Sequence, residues 1–397
     1  MIKPLLMGII AKAINKFIKV EPKTWIFGAD KGQSYREGAK YLMEYVLKSH
    51  PDYHCTFVTQ NPKVIDELNA KGIPCIHNFT WKAIFQIARA EAIFTTQSTA
   101  DVRFGYKKKG RKLYYMMHGM SNKVSWRQLP KGYVGKLYGG SRWWAALKTE
   151  ISQYLTIGYT MNDISFLSST SDFFVPYIHL DFGDNIVIKN LGMPRNDGLF
   201  DHERIKGEKW VEGLDGKLVI TYMPTHRAYG AGEITPTPFI TRPEYQQWMR
   251  ENGVVLLMKN HPNMIYKIND ANETDVLKDI TKMRLDPQVC LYHSDVLITD
   301  HSSVWIDYLL LKRPLVFYMY DDFEKDDVGT YYDVKDLNVG HFCYNENELF
   351  ELIKNIKNNY DQMRPSEEVV NRFHKYADCK NSERYFNAVV EDLLTYN

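Results

Sequence analysis

The sequence has no apolar stretch that approaches the roughly 20 residues of a membrane-spanning helix. Its 397 residues include five widely separated cysteines, Cys55, Cys75, Cys290, Cys343 and Cys379. These form neither a C-x-x-C pair nor a metal-ligand spacing, so a reducing compartment fits them better than a disulfide framework. Internal repeats and low-complexity linkers are also missing. At about 150 residues per domain, the length favours two globular domains, with three as the alternative.

Net charge is small as well, since 50 basic residues oppose 48 acidic ones to give +2. Residues 103–148 nevertheless contain twelve Lys or Arg and no Asp or Glu, with aromatic residues between them. Such a segment suits phosphate groups or a membrane interface, while a solvated basic face or a nucleic-acid surface would use the same ingredients. For this basic aromatic segment we predict membrane or acceptor contacts by Lys107, Lys108, Lys109, Arg111, Trp126, Trp143 and Trp144.

Residues 1–20 have apolar side chains at helical spacing, bordered by Lys3, Lys12, Lys16 and Lys19. The pattern predicts an amphipathic helix that associates with an anionic membrane surface. An ordinary helix packed on the core has the same periodicity. A secretory signal is disfavoured, because the helical pattern continues past the short apolar run without a cleavage site.

Short β-rich runs alternate with helix-length segments along the whole chain, which predicts an α/β fold with two doubly wound, Rossmann-like domains. The predicted strands are 25–29, 55–59, 93–96, 113–117 and 186–190 in the first half, and 218–223, 255–259, 296–299 and 315–318 in the second. The predicted domains are 1–20 (helix), 21–192, 193–370, and 371–397, a C-terminal helix packing back on the first domain. Ligands of such sheets bind beyond the carboxyl ends of the strands.

His118 follows the predicted strand LYYMM directly, in the sequence HGM. A histidine at that position can face a ligand, and its ordinary pKa of about 6.5 lets it accept a proton near neutrality. A structural histidine satisfied by hydrogen bonds is the alternative interpretation.

A phosphate site is predicted in the second half, where the strand 296–299 is followed by Asp300, His301, Ser302 and Ser303 and then by a helix. Ser302 or Ser303 would cap that helix and leave its positive end facing an anion. Asp307 lies one turn further on and would order the loop or hold a ligand hydroxyl. Other strands end at Thr225, His226 and Arg227 and at Lys259, Asn260 and His261, which add donors for a diphosphate. A plain helix cap remains the simpler interpretation of the serines.

These motifs occur in one order: HGM at 118–120, GMPRND at 192–197, YMPTHR at 222–227, KNHP at 259–262 and SDVLITDHSSVWIDY at 294–308. Together they resemble the CDP-glycerol glycerophosphotransferase family, which contains teichoic-acid primases and polymerases and their capsule-assembly relatives. The resemblance covers roughly residues 90–330. Family members often have HGTP and PTWR where this chain has HGMS and PTHR. The chain is shorter than the long polymerases, which favours a primase or a capsule enzyme.

The resemblance implies a GT-B-like fold, with the two Rossmann-like domains facing a cleft. It implies transfer of glycerol phosphate from CDP-glycerol to a hydroxyl of a lipid-linked saccharide or phosphopolymer, with release of CMP, at the cytoplasmic face of the membrane. His118 would be the general base, and His261 would assist it by stabilising the departing CMP. The predicted donor-binding residues are Thr225, Arg227, Lys259, Asp300, Ser302, Ser303 and Asp307. The predicted cleft-shaping residues are Gly119, Pro194, Arg195, Asn196 and Asp197.

We expect no tightly bound cofactor, although Mg²⁺ on the donor diphosphate is compatible with the sequence. The acidic run Asp321, Asp322, Asp326 and Asp327 is more typical of a solvated loop than of a metal site. The alternatives are a CDP-ribitol ribitolphosphotransferase, a GT-B nucleotide-sugar glycosyltransferase, and a membrane- or RNA-binding module. The order of the second-half motifs disfavours the last of these, so no nucleic-acid partner is expected.

Overall fold

The computed structural model describes residues 2–120, 124, 156–225, 242–260, 274–321 and 329–395, with side chains from residue 6 onward. The helices are α1 Ile2–Phe17, α2 Glu37–Ser49, α3 Pro62–Ala70, α4 Trp81–Arg89, α5 Val175–Phe182, α6 His202–Lys206, α7 Pro243–Glu251, α8 Pro287–His293, α9 Val304–Leu309, α10 Glu346–Asn358, α11 Glu367–Phe373 and α12 Asn381–Leu394. The strands are β1 Glu21–Phe27, β2 His54–Thr59, β3 Cys75–His77, β4 Ala90–Thr95, β5 Lys112–Tyr115, β6 Ile164–Ser169, β7 Ile188–Asn190, β8 Leu218–Tyr222, β9 Val254–Met258, β10 Leu277–Asp279, β11 Val296–Thr299, β12 Leu315–Tyr318 and β13 His341–Cys343.

The chain divides into two compact units. Unit 1 contains Met1–His118, Trp126–Asp197 and Asp378–Asn397, and unit 2 contains Gly119–Ser125 and Gly198–Ala377. After Asp197 the chain passes from unit 1 to unit 2, and it returns to unit 1 at Asp378 with α12.

Unit 1 is built on a parallel sheet with the strand order β3-β2-β1-β4-β5-β6-β7. In the central strands, Trp25–Phe27 of β1, Phe57 and Val58 of β2, and Ile93 and Phe94 of β4 are buried apolar residues, as is typical of a parallel sheet that helices cover. On one face Trp25, Phe27, Phe94 and Tyr114 form a buried cluster with α2 and α12. The order of the strands reverses between β1 and β4, which places the switch point of the sheet there.

Unit 2 repeats this plan with the order β10-β9-β8-β11-β12-β13, again parallel. All five residues of β9 are buried, as are all four of β11. The sheet reverses between β8 and β11, so the segments after these strands are where a ligand of this unit is expected.

Helix α1 packs on unit 1 through one face only. Met7 and Ala11 are buried against Ile84 of α4 and Phe104, and the hydroxyl of Tyr106 donates to the carbonyl oxygen of Gly8 at 2.7 Å. Its other face exposes Leu6, Ile9, Ile10 and Phe17. One face of α1 therefore packs on unit 1, while the opposite face leaves apolar side chains exposed. Among the described residues, no helix has the length and apolar character needed to cross a bilayer.

Candidate functional site

The turn after β5 carries His118. The amide of Met116 donates to the carbonyl oxygen of Thr95 at 2.8 Å, which extends the pairing of β5 with β4 by one residue. The backbone then takes positive φ at Met117 (58°) and at Gly119 (151°). Met116 and Met117 are buried, whereas His118 is exposed to solvent. A left-handed residue with a side chain is uncommon and costs about 1 kcal/mol or more, so neighbouring contacts must hold this turn in place.

Arg195 provides such a contact. Its Nη1 donates to the carbonyl oxygen of His118 and lies 2.8 Å from Oε2 of Glu37, the first residue of α2. The side chains of Arg195 and Glu37 are only 9% and 14% exposed. This buried ion pair ties the His118 turn to the beginning of α2. The contacts of Arg195 are therefore those of a positioning residue, whereas its part in shaping a cleft stays a prediction.

The same GMPRND motif holds the C-terminal helix. Asp197 accepts hydrogen bonds from the amides of Asn381 and Ser382, both at 2.8 Å, at the beginning of α12. Gly192 has a φ of +76°, and a Cβ there would lie 1.9 Å from Oδ1 of Asn381. Asn196 is buried beside them. One short motif thus positions both the His118 turn and α12.

Asp101 was not singled out in the sequence, yet it organises the switch point of unit 1. Its carboxylate accepts from the amides of Lys31 (2.7 Å), Thr96 (2.9 Å) and Gln97 (2.8 Å), which joins the loops after β1 and β4. It also forms a capping box with Ser98. The pattern Ser98-x-x-Asp101 is the signal that could have revealed it.

The electrostatic surroundings of His118 favour a neutral imidazole. Protein groups surround the imidazole closely enough to reduce the solvation of an imidazolium, and this partial desolvation lowers the pKa of His118. The positive charges of Arg195 and Arg36 lower it further, while the carboxylates of Glu37 and Asp101 oppose them. A neutral imidazole is the form that can accept a proton.

In unit 2, the segments after β8 and β11 are bonded to each other. Asp300 is fully buried, and its Oδ1 accepts from the amide of Thr225 at 2.8 Å. The hydroxyl of Thr299 donates to the carbonyl oxygen of Met223 at 2.7 Å. Of the two roles that the sequence allowed for Asp300, these contacts favour ordering the loop over direct contact with a donor.

The two serines precede α9. Ser302 and Ser303 are partly exposed, and Oγ of Ser302 lies 3.5 Å from the amide of Val304, a weak cap. Ser303 occupies the N-cap position, but its side chain makes no cap hydrogen bond. The prediction that one of them caps the helix therefore holds only weakly, and for Ser302.

Asp307 corrects a prediction. It is buried, and its Oδ2 accepts from Nε2 of Gln288 on α8 at 3.2 Å. A carboxylate covered in this way packs α9 on α8 and does not reach a ligand. Its assignment as a donor-binding residue is therefore wrong for this structure.

The segment after β9 begins with Lys259 and Asn260. The backbone amide of Lys259 donates to the carbonyl oxygen of Tyr222 at 3.0 Å, and Lys259 is partly exposed. Asn260 is buried, and its amide donates to Oγ1 of Thr281 at 2.9 Å. Arg227 and His261, the other predicted residues of this site, lie outside the described residues.

The basic aromatic segment is only partly described, since Trp126, Trp143 and Trp144 lie outside the described residues. Lys107 and Lys109 are exposed. Lys108, in contrast, points its Nζ to the carbonyl oxygens of Asn15 (2.7 Å) and Ile18 at the end of α1. It is therefore turned inward and does not present its charge to a surface partner.

Arg111 is the second correction in this segment. It is buried, and its guanidinium donates to the carbonyl oxygens of Ala90 (2.9 Å), Tyr106 (2.7 Å) and Ala88 (2.8 Å) and to Oδ1 of Asn15. Burial lowers the pKa of Arg111 to about 9. The residue joins α1 to the sheet and cannot contact a membrane or an acceptor.

Two parallel, doubly wound sheets, each with polar residues at the carboxyl ends of its strands, make this a GT-B-like protein of two Rossmann-like units. The predicted fold class is thereby confirmed. The chain belongs to the family described as CDP-Glycerol:Poly(glycerophosphate) glycerophosphotransferase, whose model matches residues 10–391.

Two curated relatives illustrate the similarity. The teichoic acid glycerol-phosphate primase of Bacillus subtilis (strain 168) is 28% identical over 251 residues, which cover 62% of each chain. The teichoic acid poly(ribitol-phosphate) polymerase of Bacillus spizizenii (strain W23) is 32% identical over 230 residues, 53% of this chain and 35% of the polymerase. The chain thus spans between about a third and just under two thirds of these relatives.

Solved structures agree on the fold. The structure of the wall teichoic acid polymerase TagF matches with a TM-score of 0.73 at 21% identity, over 99% of this chain and 93% of that chain. The UDP co-structure of MnaA from S. aureus matches with a TM-score of 0.53 at 10% identity, over 95% of this chain and 98% of that chain. At these identities the likeness concerns the fold.

Proposed function

We propose that this protein transfers glycerol phosphate from CDP-glycerol to a hydroxyl of a lipid-linked or polymeric acceptor and releases CMP. The observation that carries the proposal is the HGM turn, in which the exposed His118 follows β5 and is held through its carbonyl oxygen by the buried Arg195–Glu37 pair. Membership of the glycerophosphotransferase family supports the same reaction.

In this reaction His118 takes the proton of the acceptor hydroxyl. The acceptor oxygen forms a bond to the phosphorus that carries glycerol, and the bond from that phosphorus to the bridging oxygen breaks. CMP leaves with the electron pair of that bond. General-base assistance is typically worth about 10²–10⁴ in rate, and a neutral imidazole is ready for this role.

The donor is proposed to bind at the carboxyl edge of the unit 2 sheet. Partly exposed Ser302, Ser303 and Lys259 supply hydroxyl groups and a positive charge there. Arg227 and His261 complete the proposed set by their place in the motifs. Asp300 contributes indirectly, because it fixes the amide of Thr225. Positioning and electrostatic stabilisation dominate phosphoryl-type transfer, so these groups matter as much as the base.

Mg²⁺ on the donor diphosphate is the one cofactor that the sequence allowed. In the part of the chain that the structure describes, no group of three or more His, Cys, Asp or Glu side chains is arranged to hold a metal ion.

A ribitol donor is the second candidate, because the relatives include a poly(ribitol-phosphate) polymerase at 32% identity. The two donors differ only in their polyol. Release of CMP from CDP-glycerol and from CDP-ribitol, measured side by side with one acceptor, distinguishes them.

We further propose that the protein acts as a peripheral protein at the cytoplasmic face of the membrane. Helix α1 supports this, since its exposed face combines Ile9, Ile10 and Phe17 with Lys16. The neighbouring helix α4 exposes Trp81 and Phe85 as well. Apolar and aromatic side chains flanked by lysines suit the interface of an anionic bilayer.

His118→Gln tests the proposed reaction. Because the side chain is exposed and the turn is held through its backbone, the variant should fold and bind CDP-glycerol normally. CMP release should fall by at least about 100-fold. In the unchanged protein, kcat/KM should fall only below pH 6.5. The reason is that His118 must be unprotonated to act as the base and its pKa is lowered from that value. Normal turnover in the variant would remove His118 from the reaction.

A further inference from the structure

Arg103 differs from the other arginines of unit 1 that the structure describes. Arg36, Arg89, Arg195 and Arg384 each form an ion pair with a carboxylate, and Arg111 is bonded to carbonyl oxygens. Arg103 is partly buried, and among the described residues it has no ion pair. Its guanidinium donates one hydrogen bond, from Nη1 to the hydroxyl of Thr156 at 3.1 Å, and its buried Nε has no acceptor.

A buried donor without an acceptor is unusual, and a charged group left in that state costs more than a neutral one. Burial lowers the pKa of Arg103, which reflects the same cost. A bound anion would supply both the missing acceptor and the missing charge. Arginine is well suited to this, since its planar fork matches the two oxygens of a phosphate.

The place of Arg103 in the fold connects it to the reaction. Its amide donates to Oδ1 of Asn78, the residue directly after β3, at 3.3 Å. The preceding residues Asp101 and Val102 approach so closely that a Cβ on Gly28, directly after β1, would lie 2.6 Å from the carbonyl oxygen of Asp101. Arg103 therefore lies at the carboxyl edge of the unit 1 sheet, beside its switch point.

His118 follows β5 at this same edge. The charge of Asp101 acts on both residues, since it raises the pKa of His118 and that of Arg103. The carboxylate itself accepts from the amides of Lys31, Thr96 and Gln97. Among the described residues, the guanidinium of Arg103 forms no ion pair with this carboxylate and donates to Thr156 instead.

We propose that Arg103 binds a phosphodiester of the acceptor and so positions the acceptor hydroxyl for His118. This inference rests on the proposed function and makes it more specific. The family's description names poly(glycerophosphate), a chain of phosphodiesters, whereas a neutral saccharide would leave the guanidinium without its anion. Arg103 is a positioning residue in this scheme and takes no part in proton transfer.

The test compares Arg103→Gln, Arg103→Lys and the control Lys71→Gln, which removes one exposed positive charge directly after α3 in the same unit. The acceptors are a water-soluble glycerol-phosphate oligomer and a neutral lipid-linked disaccharide analogue. Arg103→Gln should raise KM for the oligomer about ten- to hundredfold. It should leave KM for CDP-glycerol and for the neutral acceptor unchanged. Arg103→Lys should recover part of the loss, and Lys71→Gln should change KM less than about twofold.

Equal effects on both acceptors, or a lower melting temperature with unchanged KM, would show a merely structural role and overturn the proposal. A phospholipid headgroup offers the same phosphodiester chemistry. If Arg103→Gln weakened binding to phosphatidylglycerol vesicles but left KM for the oligomer unchanged, the acceptor assignment would be wrong. Calorimetry of the oligomer with the wild-type protein and Arg103→Gln decides the role of Arg103 even if no CMP is released.

Discussion

At the scale of single residues, the arginines of unit 1 show how one side chain type serves different purposes. Arg195 pairs with a buried carboxylate and holds a functional turn. Arg111, in contrast, donates its hydrogen bonds to carbonyl oxygens and one side-chain amide oxygen. Sequence composition cannot separate such cases, because the partners come from distant parts of the chain. The structure separates them through burial and the identity of each acceptor.

Arg195→Met should lower the free energy of unfolding by about 3 kcal/mol, because it leaves Glu37 buried without its counter-charge. It should also reduce turnover, since the carbonyl oxygen of His118 loses its donor. Chemical denaturation and CMP release measure the two effects. The matched control is Arg89→Met. The side chains of Arg89 and its partner Glu21 are 47% and 56% exposed, so this ion pair should contribute less than about 1 kcal/mol to the free energy of unfolding.

Adding Glu37→Gln to Arg195→Met should restore part of the lost stability, because the uncompensated carboxylate is then gone. Turnover should stay low in the double variant. If Arg195→Met unfolds no more easily than Arg89→Met, the ion pair does not stabilise the turn.

The site could be predicted from sequence where a motif is local. The position of His118 after a strand and that of Ser302 and Ser303 before a helix follow from a few neighbouring residues. That the side chains of Lys108 and Arg111 point inward could not be predicted, since this depends on α1 and α4 packing beside them. Asp307 was misjudged for the same reason, because its partner Gln288 belongs to another helix.

At the scale of elements, the first turn of α12 is held by a close approach of two segments. Gly192→Ala should destabilise unit 1 by about 2 kcal/mol or more, because a positive φ is combined with a Cβ only 1.9 Å from Oδ1 of Asn381. Asn381 cannot easily move away, since its amide and its Nδ2 donate to Asp197.

Gly72→Ala is the control for Gly192→Ala. It has a φ of +67° with nothing within 4 Å of the added Cβ, so only the backbone strain remains, about 1 kcal/mol. Thermal unfolding of the two variants measures the difference. Equal losses would mean that α12 adapts without cost.

The strands show which elements the pattern of apolar residues can predict. The predicted strands 296–299 and 315–318 agree with β11 and β12 in full, because each is a buried apolar run between polar segments. The sequence analysis missed β3, β10 and β13, which have three residues each and mixed polarity. Such short edge strands are defined by the partner strand and not by their own composition. It also missed β6, whose sequence ISFLSS ends in hydroxyl residues.

At the scale of the whole molecule, the question is what the exposed face of α1 contacts. Ile9→Gln combined with Phe17→Gln should reduce binding to phosphatidylglycerol vesicles about tenfold, because these side chains are 56% and 80% exposed. The melting temperature should stay unchanged. Co-sedimentation with vesicles is the measurement. Point substitutions are preferable to deletion of the helix, since Met7 and Ala11 belong to the core.

Val187→Gln serves as the control for these vesicle experiments, because Val187 is 53% exposed on another part of unit 1. A similar loss of vesicle binding in this control would indicate a general effect of surface hydrophobicity. Undiminished sedimentation of the α1 variant would disprove the membrane role of the helix.

The return of the chain to unit 1 also bears on how the protein is made. Tyr385 and Phe386 of α12 belong to the same buried cluster as Trp25 and Phe94, although residues 198–377 of unit 2 are synthesised between them. While the ribosome is still translating, the nascent first sheet presents an uncovered aromatic surface, which is a substrate for chaperones. A nonsense codon late in the gene would therefore damage the sheet at the beginning of the chain.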